Sequence, residues 1–212
     1  MVTDVQQRRR TPFWRELPIL IVVAIGVAIL VRAFVVQTFY IPSQSMQHTL
    51  EINDRVLVNK LVYDFWEPSR GEVVVFRAPQ SWNSYPTESD FIKRVIAIAG
   101  DRVVCCDGRQ RLMVNQVALD EPYIYRNQDG VADEASNEPF DITVPDDRLW
   151  VMGDHRAESG DSREHYLRTR DPTAATIPTD AVVGRAFAIF WPVDRLDWLS
   201  VPETFASVPT SS

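Results

Sequence analysis

Ser45 lies in Tyr40-Ile41-Pro42-Ser43-Gln44-Ser45-Met46, immediately after an apolar run of membrane length. A serine hydroxyl attacks a carbonyl at neutral pH only with a base in hydrogen-bond reach, and this chain offers few bases. Of its 22 basic residues only Lys60 and Lys93 are lysines; the arginines hold their protons at any working pH. Lys93 falls in Asp90-Phe91-Ile92-Lys93-Arg94-Val95-Ile96-Ala97-Ile98, which reads as a strand. In a strand Phe91, Lys93 and Val95 share one face. If that face is inward, desolvation lowers the lysine pKa toward the neutral form a general base needs. Lys60 is expected at the surface. The histidines are His48, His155 and His165. Asp154-His155 with Ser162 makes a poor triad, because Arg163 and Glu164 stand where glycines would let backbone amides form an oxyanion hole. No zinc-protease helix motif, phosphate-binding loop or dinucleotide fingerprint is present, so neither a metal nor a cofactor is expected.

The elements that must hold such a pair begin with Leu17 to Val36, LPILIVVAIGVAILVRAFVV. About twenty apolar residues are what a helix needs to cross a hydrocarbon core, and the one charge, Arg32, sits where it can snorkel to the headgroups. Arg8, Arg9, Arg10 and Arg15 precede the run and the acidic excess of the −7 net charge follows it. The positive-inside rule then predicts a cytoplasmic tail over 1–16, a single anchor over 17–36 in the cell membrane and an extracytoplasmic body. The run is long for a cleaved signal, and Val35 to Tyr40 offers no small-residue cleavage pattern. An acidic body argues against a nucleic-acid partner.

The body, 37–199, reads as mainly β: an antiparallel sheet, barrel-like or folded over. Strands are expected over 53–63, 72–76, 90–98, 140–144, 149–152 and 182–191. Val73 to Phe76 is a continuous apolar run, to be covered on both faces. Asp107-Gly108 predicts a hairpin between 102–106 and 111–114. A loop over 78–89, a mobile acidic loop over 126–139, one short helical turn within 161–179 and a frayed, flexible tail over 200–212 complete the expectation. Cys105 and Cys106 are adjacent, poorly placed for an ordinary bridge because strand side chains diverge, and are expected as packing or free thiols.

The ordered segments YIPSQSMQHTL, RGEVVVF, DFIKRVIAIAGD, MGDHRAESGDSR and VGRAFAIFWP resemble the successive boxes of bacterial type I signal peptidases, with a flavour closest to actinobacterial members. The resemblance implies a membrane-bound serine endopeptidase that removes signal peptides from exported preproteins through a serine/lysine dyad and an acyl-enzyme. By position it makes Ser45 the nucleophile and Lys93 the general base. Ser43 joins the Ser45 amide in the oxyanion hole, Ser159 orients the lysine, and Asp161 with Arg163 supports the site. Phe39, Ile41, Met46, Phe91 and Ile92 line shallow pockets for small side chains at positions −1 and −3. The implied partners are preprotein signal peptides and the lipid bilayer, with no nucleic acid and no metal. His48 departs from the usual proline, Ala97 and Ala99 from a Gly and a Pro, His155 and Glu158 from asparagines. Self-cleaving repressors use the same chemistry on a similar β fold, but the apolar span and the lack of a DNA-binding helical region disfavour that reading.

Overall fold

The computed structural model describes residues 13–82 and 90–210, and within its first helix the side chains of 16–26. Arg8, Arg9, Arg10, the side chains of Arg15 and Arg32, and most of the 78–89 loop lie outside the described residues. Helix α1 (Phe13–Phe34) covers most of the apolar run. Ile19, Leu20, Val22, Val23 and Ile25 are each more than half exposed. Among the described residues no helix is long and apolar enough to cross a membrane.

From α1 the chain enters β1 (Val36–Tyr40), and after the Ser45 turn β2 (Arg55–Asn59), α2 (Val62–Phe65), β3 (Val73–Arg77) and β4 (Asp90–Ala97). Next come β5 (Arg102–Cys105), β6 (Leu112–Val114), β7 (Val117–Ala118), β8 (Phe140–Thr143) and β9 (Arg148–Met152). Helices α3 (Ser162–Thr169) and α4 (Pro172–Ala175) precede β10 (Ile177–Pro178), β11 (Val182–Trp191) and β12 (Asp197–Trp198). The fold is mainly β, and its strands pair antiparallel throughout the two sheets. The larger sheet runs β1-β2-β11-β3-β4-β9-β10 with β12 on β11, and the smaller runs β7-β6-β5-β8.

Burial explains the strand sequences. Val73 and Val75 point into a cluster with Ile41, Met46, Leu50, Val56 and Val58. Val74 and Phe76 point the other way, into a cluster with Trp82, Val95, Leu149, Val151 and Ile177. β3 is therefore covered on both faces, which is why its apolar run does not alternate. Two open edges bear on function. Among the described residues β1 pairs only with β2, and β4 pairs with β9 only from Arg94 onward, leaving Asp90–Lys93 without a strand partner on that side.

Several expectations are corrected. Cys105 and Cys106 are bonded to each other; β5 ends at Cys105, so Cys106 lies beyond the regular strand in which neighbouring side chains diverge. The expected strand over 53–63 stops at Asn59, whose side-chain oxygen accepts from the Leu61 and Val62 N–H groups and starts α2. The polar stretch over 161–179 holds two helices rather than one turn. Asp161 caps α3 by accepting from the Arg163 N–H, and Arg170 ends it in the left-handed region at φ 56°. The 126–139 segment folds as a small hairpin bridged at Arg126 and Ala132, with Ala135 and Ser136 buried. The 200–212 tail docks over its described part: Phe205 and Val208 are buried, and Arg70 donates to the carbonyls of Val208 and Pro209. Composition marked both segments as mobile because it counts polarity and misses a few well-spaced anchors.

Candidate active site

In a flat sheet β1 and β4 would stand about 19 Å apart, four strand spacings of about 4.8 Å. Yet Lys93 Nζ on β4 lies 2.6 Å from Ser45 Oγ just beyond β1. The sheet folds over, and the turn after β1 is drawn inward to make that contact. Ile41, Met46 and Leu50 are the anchors, each at most 1% exposed, and the Ile41 N–H donates to the Asp54 carbonyl at 2.9 Å. Ser45 is 7% and Lys93 4% exposed. Ser43 Oγ stands 3.3 Å from Ser45 Oγ. The Ser45 carbonyl is held from behind by the His155 N–H at 3.1 Å. Gly153 is required there, since a Cβ would collide with that carbonyl and with Ser159 Oγ.

Burial pushes the Lys93 amine down from 10.5 to about 8, the nearby Arg163 charge helps, and the Asp161 and Asp154 carboxylates oppose it. Those carboxylates are already engaged. Asp161 accepts from Arg163 Nε at 3.0 Å and Nη2 at 2.8 Å and from the Gly153 N–H at 3.0 Å. Although burial favours its protonation, the Arg163 charge and these hydrogen bonds hold it below the usual carboxylate range. Asp154 is gripped by Arg94, with Nε at 3.0 Å and Nη2 at 2.6 Å. Arg94 in turn donates to the Gly71 carbonyl and lies over the Tyr123 ring. With both carboxylates tied to arginines, desolvation outweighs attraction at Lys93. In its ammonium form Lys93 donates to Ser45 Oγ; in its neutral form it accepts the hydroxyl proton. That is the arrangement of a nucleophile and its base.

The chain matches the family model of signal peptidase, peptidase S26, over residues 14–191. The chain belongs to the peptidase S26 family. This S26 peptidase is 35% identical to a probable signal peptidase I of Mycobacterium leprae, over 90% of this chain and 80% of that protein. It is 37% identical to a probable signal peptidase I-2 of Synechocystis, over 94% and 85%. A solved signal peptidase I from Enterococcus faecalis matches 57% of this chain and 97% of its own, with 23% identity and a TM-score of 0.41. By family, the chain is a hydrolase that cuts peptide bonds.

Within this S26 peptidase the expected site residues do not all meet. Ser43, Ser45 and Lys93 come together, and Asp161 pairs with Arg163 beside them. Ile41 and Met46 share a cluster against which Phe39 and Ile92 pack, whereas Phe91 packs on the opposite cluster, its ring 5.8 Å from Lys93 Nζ. Ser159 is buried between Gly153 and Asp161, whose carboxylate its hydroxyl helps to keep ionised, and no hydrogen bond from it to the lysine is formed among the described residues. The His155 and Ser162 alternative fails on geometry. Ser162 Oγ accepts from the Val151 N–H, and the His155 ring faces Gln44 and Gln47. Lys60 is half-buried and lines a separate cavity of about 600 Å³ with Tyr63, Trp66 and Arg148. Sequence reasoning missed the Arg94 and Asp154 pair. Arg94 follows the base directly and Asp154 precedes His155, but only burial shows that the two arginines absorb the carboxylates near Lys93.

Proposed function

We propose that this peptidase removes signal peptides from exported preproteins with Ser45 as nucleophile and Lys93 as general base. The observation that carries the reading is the 2.6 Å approach of a buried, pKa-lowered amine to the serine hydroxyl. Neutral Lys93 takes the Ser45 proton as Oγ attacks the scissile carbonyl. The Ser43 hydroxyl and the Ser45 amide receive the developing oxyanion. Collapse expels the mature chain's amine, which takes the proton from the Lys93 ammonium, and leaves an acyl-enzyme; the again neutral Lys93 deprotonates a water that attacks it, and returns that proton to the departing Ser45 oxygen.

The open edges of β1 and of β4 at Asp90–Lys93 support an extended substrate added as a strand, with alternate side chains directed into pockets. In this reading Phe39, Ile41, Met46 and Ile92, which share one apolar cluster, line shallow pockets for small residues at −1 and −3, and Phe91 flanks the base. Exposed apolar side chains along α1 support an anchor over 17–36, with the 1–16 tail cytoplasmic and the catalytic body, 37–199, outside the cell membrane. No cofactor or metal has a part in this chemistry.

The test is cleavage of a defined preprotein by detergent-solubilised wild type, Ser45→Ala and Lys93→Ala, with sequencing of the product's new N-terminus. Cleavage after a small residue that both substitutions abolish is the expected result. Full activity in Lys93→Ala would refute the assignment.

A further inference from the structure

We propose that His155 is a positioning residue for the oxyanion-binding amide, a role that rests on Ser45 being the nucleophile. The His155 Nδ1 lies 3.2 Å from the Gln44 carbonyl oxygen and 3.1 Å from Gln47 Oε1. Gln47 Nε2 donates to Glu51 Oε2 at 3.0 Å, which leaves its oxygen to face the imidazole. Both groups at Nδ1 are therefore acceptors, so Nδ1 carries the proton.

The Gln44 carbonyl and the Ser45 N–H belong to one peptide unit. That unit is trans, since the cis bonds among the described residues are at Cys106 and Pro192. In a planar trans peptide the C=O and N–H point in opposite directions. Holding the carbonyl from one side therefore aims the N–H to the other, and among the described residues no acceptor takes the Ser45 N–H. A hydrogen bond at the carbonyl also polarises the unit, making its N–H a stronger donor to developing negative charge. The next peptide is held by the same residue, whose backbone N–H donates to the Ser45 carbonyl at 3.1 Å. His155 thus pins the peptide planes on both sides of the Ser45 Cα.

The imidazole is itself well fixed. It is 7% exposed, and the Tyr125 ring stacks on it with centroids 3.9 Å apart. Asp133, on the same hairpin as Tyr125, is itself held by the Ala157 N–H at 3.0 Å. The hairpin that carries Tyr125 and Asp133 thereby buttresses the ring that aims the amide.

The experiment uses the geometry of side-chain amides. The asparagine Nδ2 occupies the place of His Nδ1, whereas the glutamine Nε2 occupies the place of His Nε2. Steady-state cleavage of one preprotein is compared among wild type, His155→Ala, His155→Asn and His155→Gln in the full chain, with melting temperature read alongside. His155→Ala and His155→Gln are expected to lower kcat about tenfold or more with KM changed less than about twofold, the pattern of a misaimed transition-state contact. His155→Asn is expected to recover most of that loss. Equal activities in the Asn and Gln variants, or a kcat in His155→Ala within about twofold of wild type, overturn the proposal. If His155→Ala does not fold, the Asn and Gln pair decides alone. Failure of the nucleophile assignment is distinguishable, because Ser45→Ala would then retain cleavage whatever stands at 155.

Discussion

Replacing Lys93 with methionine keeps most of the stem and removes the amine, so the cost of keeping that amine buried becomes measurable. Lys93 is 4% exposed, and its pKa falls from 10.5 to about 8 mainly through burial. Below about pH 8 the folded and unfolded chains both carry the ammonium, and Lys93 adds no pH dependence. Between about 8 and 10.5 the unfolded chain holds more protons than the folded one, so the wild type gains stability as pH rises. That gain is complete above the unfolded pKa and lost as pH falls through the folded value. At 1.36 kcal/mol per pKa unit it amounts to about 2.5 kcal/mol between pH 7 and pH 10. Lys93→Met has no such term. Its stability relative to wild type is therefore expected to be greatest at pH 7 and to fall by about 2.5 kcal/mol at pH 10. Urea unfolding of both proteins in one detergent, followed by tryptophan fluorescence, measures the difference, and the titrations of Tyr63 and Tyr123 cancel between them. Wild-type cleavage should rise with pH through about 8 and then level off, as the neutral base is populated. A stability difference that does not change with pH would refute the reasoning, since it would mean that Lys93 is not desolvated.

Ser43→Ala removes the hydroxyl 3.3 Å from Ser45 Oγ and is expected to lower kcat about 10²-fold with the fold intact, measured by cleavage rates and circular dichroism. Gly153→Ala places a methyl group against the Ser45 carbonyl and Ser159 Oγ. It should cost more activity than Ser43→Ala, and a variant with wild-type rates would contradict the close packing behind the nucleophile. His48→Pro restores the residue usual in the resembling family but meets a backbone at φ 81°, which proline, fixed near −65°, cannot adopt. It also removes the N–H that donates to Glu51 Oε1. A lower melting temperature and slower cleavage are expected, with His48→Gly close to wild type as the control.

Much of the working centre was legible in the residues. Only two lysines exist, and the alternation in β4 put Lys93 among Phe91 and Val95, so the candidate base followed from counting and periodicity. The unbroken Val73 to Phe76 run marked a strand covered on both faces for the same kind of reason. The His48 departure was visible too, but its meaning was not. The residue alone records only that a proline is missing, whereas the backbone there turns through positive φ and excludes proline outright.

Residue order is enough for the local facts: which side chains can react, which strands are apolar on one face or two, and where an anchor can lie. Which of those side chains meet depends on the folded chain. Ser45 and Lys93 are 48 residues apart in the chain, and their contact exists because the sheet folds over and buried Ile41, Met46 and Leu50 draw the turn inward. The basicity of Lys93 is likewise a sum over burial and the charges of Asp161, Asp154 and Arg163. Charges act through space, and no local pattern in the sequence records which of them the fold brings within range.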